Sequence, residues 1–321
     1  MIQIQNTIQQ KVQVHLEFPV HFTQNLFAIN NDILWQCISR KEPKKQHKVL
    51  FFIDDCVVKE HPGLIESIKQ YTRKNSEKLD LVTDPVVVIG GEKAKNDPAI
   101  IDLAHSLIEE HKICRHSFVI AVGGGAVLDM VGYACATPHR GVRLIRVPTT
   151  VLSQNDSAMG VKNAVNAFNK KNFLGTFCAP YAVINDREFL KTLCFRDWIS
   201  GISEAIKVAM IKDRDFFEFI KEKASRLAAR DLVVMEQLIF RCAELHLEHI
   251  RCSGDAFELG YSRPLDFGHW SAHKLESLSN YRIRHGEAVA AGIAMDSYYA
   301  YRKNLITEGY SCAITASSFS K

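Results

Sequence analysis

Short, nearly continuous apolar runs alternate with segments of helical period through the first half of the chain. Residues 49–54 (VLFFID), 86–90 (VVVIG), 117–124 (SFVIAVGG) and 142–148 (VRLIRVP) are rich in β-branched and aromatic residues, which predicts strands buried on both faces. Between them, residues 100–111 (IIDLAHSLIEEH) and 126–136 (AVLDMVGYACA) space their apolar residues for one face of a helix. Buried strands separated by helices give a mostly parallel sheet covered on both sides. From Asp186 onward the texture changes. Residues 197–211, 233–250 and 285–303 repeat apolar positions at helical spacing, so this half is expected to be all-helical. The predicted organisation is an α/β domain over residues 1–185 and a helical domain over residues 186–321. No internal repeat or low-complexity tract interrupts either part. The tail, residues 308–321 (EGYSCAITASSFSK), has no closing helix pattern and reads either as a frayed end or as a chain that stops early.

Charge excludes some partners. A net charge of +4, from 40 basic and 36 acidic residues, is no nucleic-acid footprint. The one basic cluster, residues 41–48 (KEPKKQHK), lacks interleaved aromatics and reads as a solvated loop. The nine cysteines are dispersed with no C-x-x-C pair, as expected of reduced thiols in a reducing compartment. The first eighteen residues contain no continuous apolar stretch, and no run approaches the roughly 18 apolar residues of a membrane span. A soluble, cytoplasmic protein is expected.

Four polar clusters fall where predicted strands end. Gly123-Gly124-Gly125 joins a strand to a helix, so its backbone can approach a phosphate at a helix N-terminus. Asp129 is expected in the first turn of that helix. Asp54 ends an earlier strand, where a carboxylate can accept from a ribose hydroxyl. Gly91-Glu92-x-x-Lys95 and Pro148-Thr149-Thr150 follow two others. A glycine triplet alone is more often a tight turn than a nucleotide site, and G-x-G-x-x-G is absent. Four such clusters together mark the crevice where open α/β sheets bind ligands.

The second half carries Glu204 on a predicted helix, His269 and His273 four residues apart, and His285. Two imidazoles and one carboxylate suffice for a catalytic zinc with open positions. Each histidine taken singly is more often a hydrogen-bonded surface or core residue, and H-x-x-x-H is common by chance.

Longer strings carry more weight. Residues 123–166, then 170–175 (KKNFLG), 189–207 (FLKTLCFRDWISGISEAIK), 265–276 (LDFGHWSAHKLE) and 282–295 (RIRHGEAVAAGIAM) resemble dehydroquinate synthase and related sugar phosphate cyclases, in order and in spacing. The resemblance spans roughly residues 50 to 300. It implies a Rossmann-like NAD domain, a helical metal- and substrate-binding domain, and an active site between them in a homodimer. It implies zinc, or cobalt, on Glu204, His269 and His285, with His273 close by as a catalytic or supporting histidine. Asp156 would face the nicotinamide. Lys162, Lys171, Asn172 and Lys207 would hold phosphate and substrate hydroxyls, and Arg140 would reach the phosphate bound by the neighbouring subunit. Asp54, Glu92, Lys95, Gly124, Gly125, Asp129, Thr149, Thr150 and Thr192 would contact NAD. The implied chemistry is oxidation by NAD, loss of phosphate, return of the hydride and aldol closure of a carbocycle.

Three departures bear on the substrate. Where dehydroquinate synthase grips a substrate carboxylate with a Lys and an Arg, this chain places Glu248 and Ser262, with Arg263 one step along, and Asp266 replaces an Asn. These changes resemble cyclases acting on sedoheptulose 7-phosphate, such as 2-epi-5-epi-valiolone synthases. The alternatives are a 3-dehydroquinate synthase in which Arg263 still serves, a metal dehydrogenase of the glycerol type, and an inactive paralogue shortened at its C-terminus.

Overall fold

The computed structural model describes residues 7–12, 14–252, 257, 260, 263–280 and 282–307. Ser262 and the tail from residue 308 lie outside the described residues.

The first half is built on a parallel sheet of β1 (Val20–Thr23), β2 (His47–Asp54), β3 (Leu79–Leu81), β4 (Val86–Val88), β5 (Phe118–Gly123), β6 (Arg143–Pro148) and β9 (Ala182–Asp186). The spatial order is β1-β9-β6-β5-β2-β3, with β4 also pairing β2. From β2 the chain builds outward to β3 and β4, whereas from β5 it builds the other way. The order therefore reverses between β2 and β5, where such sheets open a crevice beyond the strand carboxyl ends. Two apolar layers flank the sheet. One joins Leu50, Phe52 and Val119 to α5 (Pro98–Glu110) and α6 (Gly125–Ala136). The other joins Phe51, Ile53 and Ile120 to α1 (Ile33–Ser39) and α3 (Leu64–Lys74), with short α2 (Asp55–Glu60) packed against it, while short α4 (Lys93–Asn96) puts Ala94 into the first layer. The four predicted strands and two predicted helices all form, within two residues at each end.

One element was not foreseen. β7 (Lys162–Ala167) and β8 (Lys170–Phe177) make an antiparallel hairpin apart from the main sheet. Its turn residues, Phe168 and Asn169, have φ of 53° and 57°, the left-handed pair of a tight primed turn. Between Val165 and Ala167 the register slips, so β8 bulges where Lys171 and Asn172 sit. Asn172 has φ 54°.

Arg146 lies within β6 and is fully buried. Its guanidinium donates to Ala158 O (3.0 Å), Gly160 O (2.7 Å), Lys162 O (3.1 Å) and Asn163 Oδ1 (2.7 Å). The segment leading into β7 is thus pinned to the sheet through oxygen acceptors rather than through a carboxylate.

After β9 the described elements are helical: α7 (Phe195–Lys212), α8 (Arg214–Glu222), α9 (Ala224–Ala228), α10 (Leu232–Cys252), α11 (His269–Leu278) and α12 (His285–Arg302), around a third core centred on Trp198, Met235, Leu238 and Val289. The described cysteines are free thiols. No described helix is long and apolar enough to cross a membrane.

Candidate active site

A cleft of about 620 Å³ runs from the amino end of α6 past the hairpin to α7, α10, α11 and α12. Its deepest chemical feature sits on α7. Glu204 and Lys207 are one turn apart on the same face, 1% and 3% exposed, and pair through Glu204 Oε1 and Lys207 Nζ. Glu204 Oε2 is buried with no hydrogen-bond partner. An unsatisfied carboxylate oxygen in a dry site costs about 1–3 kcal/mol or more, so its surroundings decide what it is for. His269 opens α11 and His285 opens α12. Ligand atoms of Glu204, His269 and His285 lie within 4.8 Å of one another. The close approach depends on Gly286, where a Cβ would stand 1.9 Å from Ser200 O of α7. Any larger residue would push α12, and His285 with it, off Glu204. Burial and the nearby Lys207 hold the His269 imidazole below its usual pKa, keeping it neutral and fit to ligate a cation. The donor set, geometry and orphaned oxygen fit a divalent metal such as zinc.

His273, one turn along from His269, is half exposed, with its Nδ1 3.1 Å from Glu276 Oε2. Asp156 lies in a π-turn, Ser153–Ser157, tied to α7 by Asn155 Nδ2 donating to Gly201 O at 2.9 Å. Its carboxylate stands 3.0 Å from His246 Nδ1. Burial opposes its ionisation, but His246 and Lys207 outweigh this and keep Asp156 well below the usual carboxylate range. Burial likewise opposes charge on Lys207, and Glu204 and Asp156 raise its pKa above the ordinary value. These groups form a compact, mutually stabilised charge cluster on the cleft floor.

The hairpin supplies the cleft's other wall. Lys162, Lys171 and Asn172 line it, as do Glu92, Lys95, Gly125 and Asp129. Lys95 is 4% exposed, donates to Asp129 Oδ2 at 2.7 Å and also binds Asn172 Oδ1. Asp129 follows Gly125 by four positions and so sits in the second turn of α6, a turn later than expected. Its carboxylate faces Lys95.

The remaining expected NAD residues cluster at the carboxyl edge of the sheet. Asp54 is 6% exposed and accepts from Cys56 N at 2.9 Å, and Thr149 N donates to Gly123 O at 3.0 Å. Thr150 shares a hydrogen bond with Ser153 Oγ at 2.8 Å. A Cβ on Gly90 would fall 2.2 Å from Asp54 Oδ1. Gly124 precedes α6 with no side-chain cap, and its amide faces the Asp54 carboxylate, at a helix N-terminus of the kind that receives anions. This backbone cradle fits a dinucleotide. Gly90→Ala is therefore expected to displace the Asp54 carboxylate and weaken NAD binding about tenfold or more, the loss of one charge-assisted hydrogen bond. Titration of NADH fluorescence measures this, and unchanged affinity would contradict it.

Thr192 and Arg140 lie apart from both the cleft lining and this cradle. Thr192 Oγ1 is 2.9 Å from His61 Nε2 on the short turn after β9. Arg140 is exposed on the Pro138–Arg140 turn, at φ 63°.

A further sequence expectation is corrected. Glu248 is exposed and does not line the cleft. The residues of α10 that face it are His246 and Ile250. Helix phase is the reason: Met235, Leu238, Ile239 and Cys242 bury one stripe of α10, and His246 continues it while Glu248 points away. Arg263 is also outside the cleft lining, 4.0 Å from Asp266. The sequence reading missed both His246 and Glu276, although the stripe was visible for His246.

Comparison with known proteins places the chain in a family. Residues 85–200 match the model of the 3-dehydroquinate synthase N-terminal region, and residues 201–318 that of its C-terminal region. A 3-dehydroquinate synthase of Alkaliphilus metalliredigens is 35% identical over 264 residues, 82% of this chain and 71% of that protein. One of Shewanella halifaxensis is 32% identical over 300 residues, 93% and 79% of the two chains. The solved structure of ValA, a 2-epi-5-epi-valiolone synthase of Streptomyces hygroscopicus, superposes with a TM-score of 0.84 at 24% identity, covering 97% of this chain and 82% of that one. The chain belongs to the 3-dehydroquinate synthase-like family of sugar phosphate cyclases, which are carbon–oxygen lyases.

Proposed function

We propose that this protein is an NAD- and zinc-dependent cyclase that converts sedoheptulose 7-phosphate to a carbocycle with loss of phosphate. The observation that carries this reading is the meeting, in one cleft, of the Glu204–His269–His285 cluster with Lys162, Lys171 and Lys207. When bound, zinc would acidify a substrate hydroxyl and NAD would accept the hydride, so that oxidation, elimination, reduction and aldol closure leave the cofactor unchanged overall. The protein's own groups do the positioning. Lys162 and Lys171 offer ammonium groups to the phosphate, first as an anchor and then as stabilisers of the departing anion. Lys207 and Asp156, held ionised by their neighbours, can orient substrate hydroxyls beside the nicotinamide. Asn172 adds an amide at the hairpin bulge. His273, half exposed at the mouth, is placed to carry a proton between substrate and solvent. Zinc is the proposed native metal, with cobalt able to take its place.

The substrate follows from the wall formed by His246, Ile250, Leu265 and Asp266. None of those four residues is a Lys or Arg, and Arg263 beside the wall is 4.0 Å from the exposed Asp266 carboxylate, so a substrate carboxylate would compete with Asp266 for it. ValA, named for an uncarboxylated cyclic product, has the same fold. A second reading, 3-dehydroquinate synthase itself, is favoured by relatives of that name at 32–36% identity. Phosphate release separates the two. With NAD⁺ and zinc, sedoheptulose 7-phosphate is expected to be turned over with kcat/KM at least about 100-fold above the carboxylated heptulosonate phosphate, the cost of an unpaired buried charge. Preference for the heptulosonate would establish the second reading. Net NADH release would indicate a plain dehydrogenase, and zinc and NAD binding without turnover an inactive paralogue. Arg140, exposed on its turn, suits a homodimer in which it reaches the partner's phosphate, and the free thiols suit a cytoplasmic location.

A further inference from the structure

We propose that Glu276 is a positioning residue of the metal centre, fixing the tautomer and tilt of His285 and tying that ligand to the phosphate-binding hairpin. It rests on the metal reading above and adds a residue to it. Glu276 lies two turns beyond His269 on α11 and is 3% exposed. Its Oε2 stands 3.2 Å from His285 Nδ1 and 3.1 Å from His273 Nδ1. Its Oε1 accepts from Lys171 Nζ at 2.6 Å.

An ionised carboxylate only accepts hydrogen bonds. Facing His285 Nδ1, it requires the proton on that nitrogen, and the lone pair of a neutral ring then falls to Nε2. His269 is treated in the same way by a different acceptor: its Nδ1 is 3.2 Å from Phe267 O, while its Nε2 is 3.8 Å from Glu204 Oε1. Both ligand imidazoles therefore have an oxygen acceptor behind them, the arrangement that orients metal-binding histidines and raises their basicity. Glu276 differs from Phe267 O in carrying charge and in having a third partner. Through Lys171 it joins the cation wall to the metal floor, so movement of the hairpin bulge is felt at His285.

The rival arrangement is also present. Glu276, His273 and His285 form a second set of donor atoms within 4.8 Å of one another, and a cation held there would make Glu276 a ligand instead.

Titration of the metal-stripped full chain with Zn²⁺ or Co²⁺ alone decides between them. Wild type, Glu276→Gln, Glu276→Asp and Glu204→Gln are compared, each checked for the thermal midpoint of its metal-free form. Glu276→Gln is expected to weaken zinc binding about 10- to 100-fold while the absorption bands of the saturated cobalt form stay where they are in wild type. Glu276→Asp, which keeps the charge but shortens the reach, should fall between, and serves if the amide variant does not fold. Unchanged affinity in both, with metal lost from Glu204→Gln, overturns the positioning role alone. So does a loss beyond a thousandfold with shifted cobalt bands, which makes Glu276 a ligand. If Glu204→Gln also binds zinc like wild type, the metal reading itself falls.

Discussion

Glu204→Gln is expected to abolish stoichiometric zinc and to cut phosphate release by about three decades or more. Several kcal/mol of charge stabilisation by a metal corresponds to that factor, at about 1.4 kcal/mol per decade. Glutamine keeps the side-chain shape but replaces an anionic donor with a neutral amide. The effect on stability should be separate and measurable. Lys207, 3% exposed, loses its nearest counter-charge and keeps only Asp156, and orphaning one partner of a buried pair costs roughly 3–5 kcal/mol. Zinc content, phosphate release and denaturant unfolding need to be read together on the same preparation. Loss of activity with full zinc occupancy would move the metal elsewhere. Loss of zinc with the fold intact is the expected outcome.

The second large effect lies outside the reacting groups. Arg146→Met is expected to destabilise the protein by at least about 3–5 kcal/mol. Each stranded acceptor costs on the order of 1 kcal/mol or more, and the guanidinium serves Ala158 O, Gly160 O, Lys162 O and Asn163 Oδ1. Methionine fills similar space and supplies no donor. Those acceptors lie between Asp156 and the start of β7, so the same substitution should loosen Asp156 against Lys162. A displacement of about 1 Å at a site can lower kcat/KM roughly 100-fold. NAD affinity should fall less than turnover, since Asp54, Gly90 and Gly124 of the cradle are built on other strands and only Thr149 and Thr150 follow β6 itself. Urea unfolding, phosphate release and NADH titration resolve these contributions. Wild-type stability and turnover together would show that the four acceptors do not depend on Arg146.

Much of this architecture was legible in the residues. Strand runs such as VLFFID and SFVIAVGG are apolar because the sheet is covered on both faces, and that demand leaves a plain mark. Asp54, Gly91–Lys95 and Thr149–Thr150 could be placed at strand ends because polar residues halt an apolar run there. The hairpin left no such mark. β7 is built of small and polar residues, the apolar Phe173, Leu174 and Phe177 of β8 are exposed and show no buried face, and the turn uses Phe168, a residue that does not advertise a positive φ. Arg146 was hidden for another reason: its partners are mostly backbone oxygens, which no sequence pattern displays. His246 could have been found by extending the buried stripe of α10 through Cys242, and the same phase would have set Glu248 aside. Glu276 becomes visible only when α11, α12 and the hairpin meet.

The most direct test is zinc K-edge X-ray absorption on the purified protein, alongside its His269→Ala and His285→Ala variants. One zinc per chain is expected in wild type, with two imidazole nitrogens at about 2.0–2.1 Å, oxygen in the remaining positions and no sulfur. Each histidine variant should lose one imidazole contribution or the metal altogether. Zinc bound through sulfur, or a spectrum indifferent to both substitutions, would contradict the site.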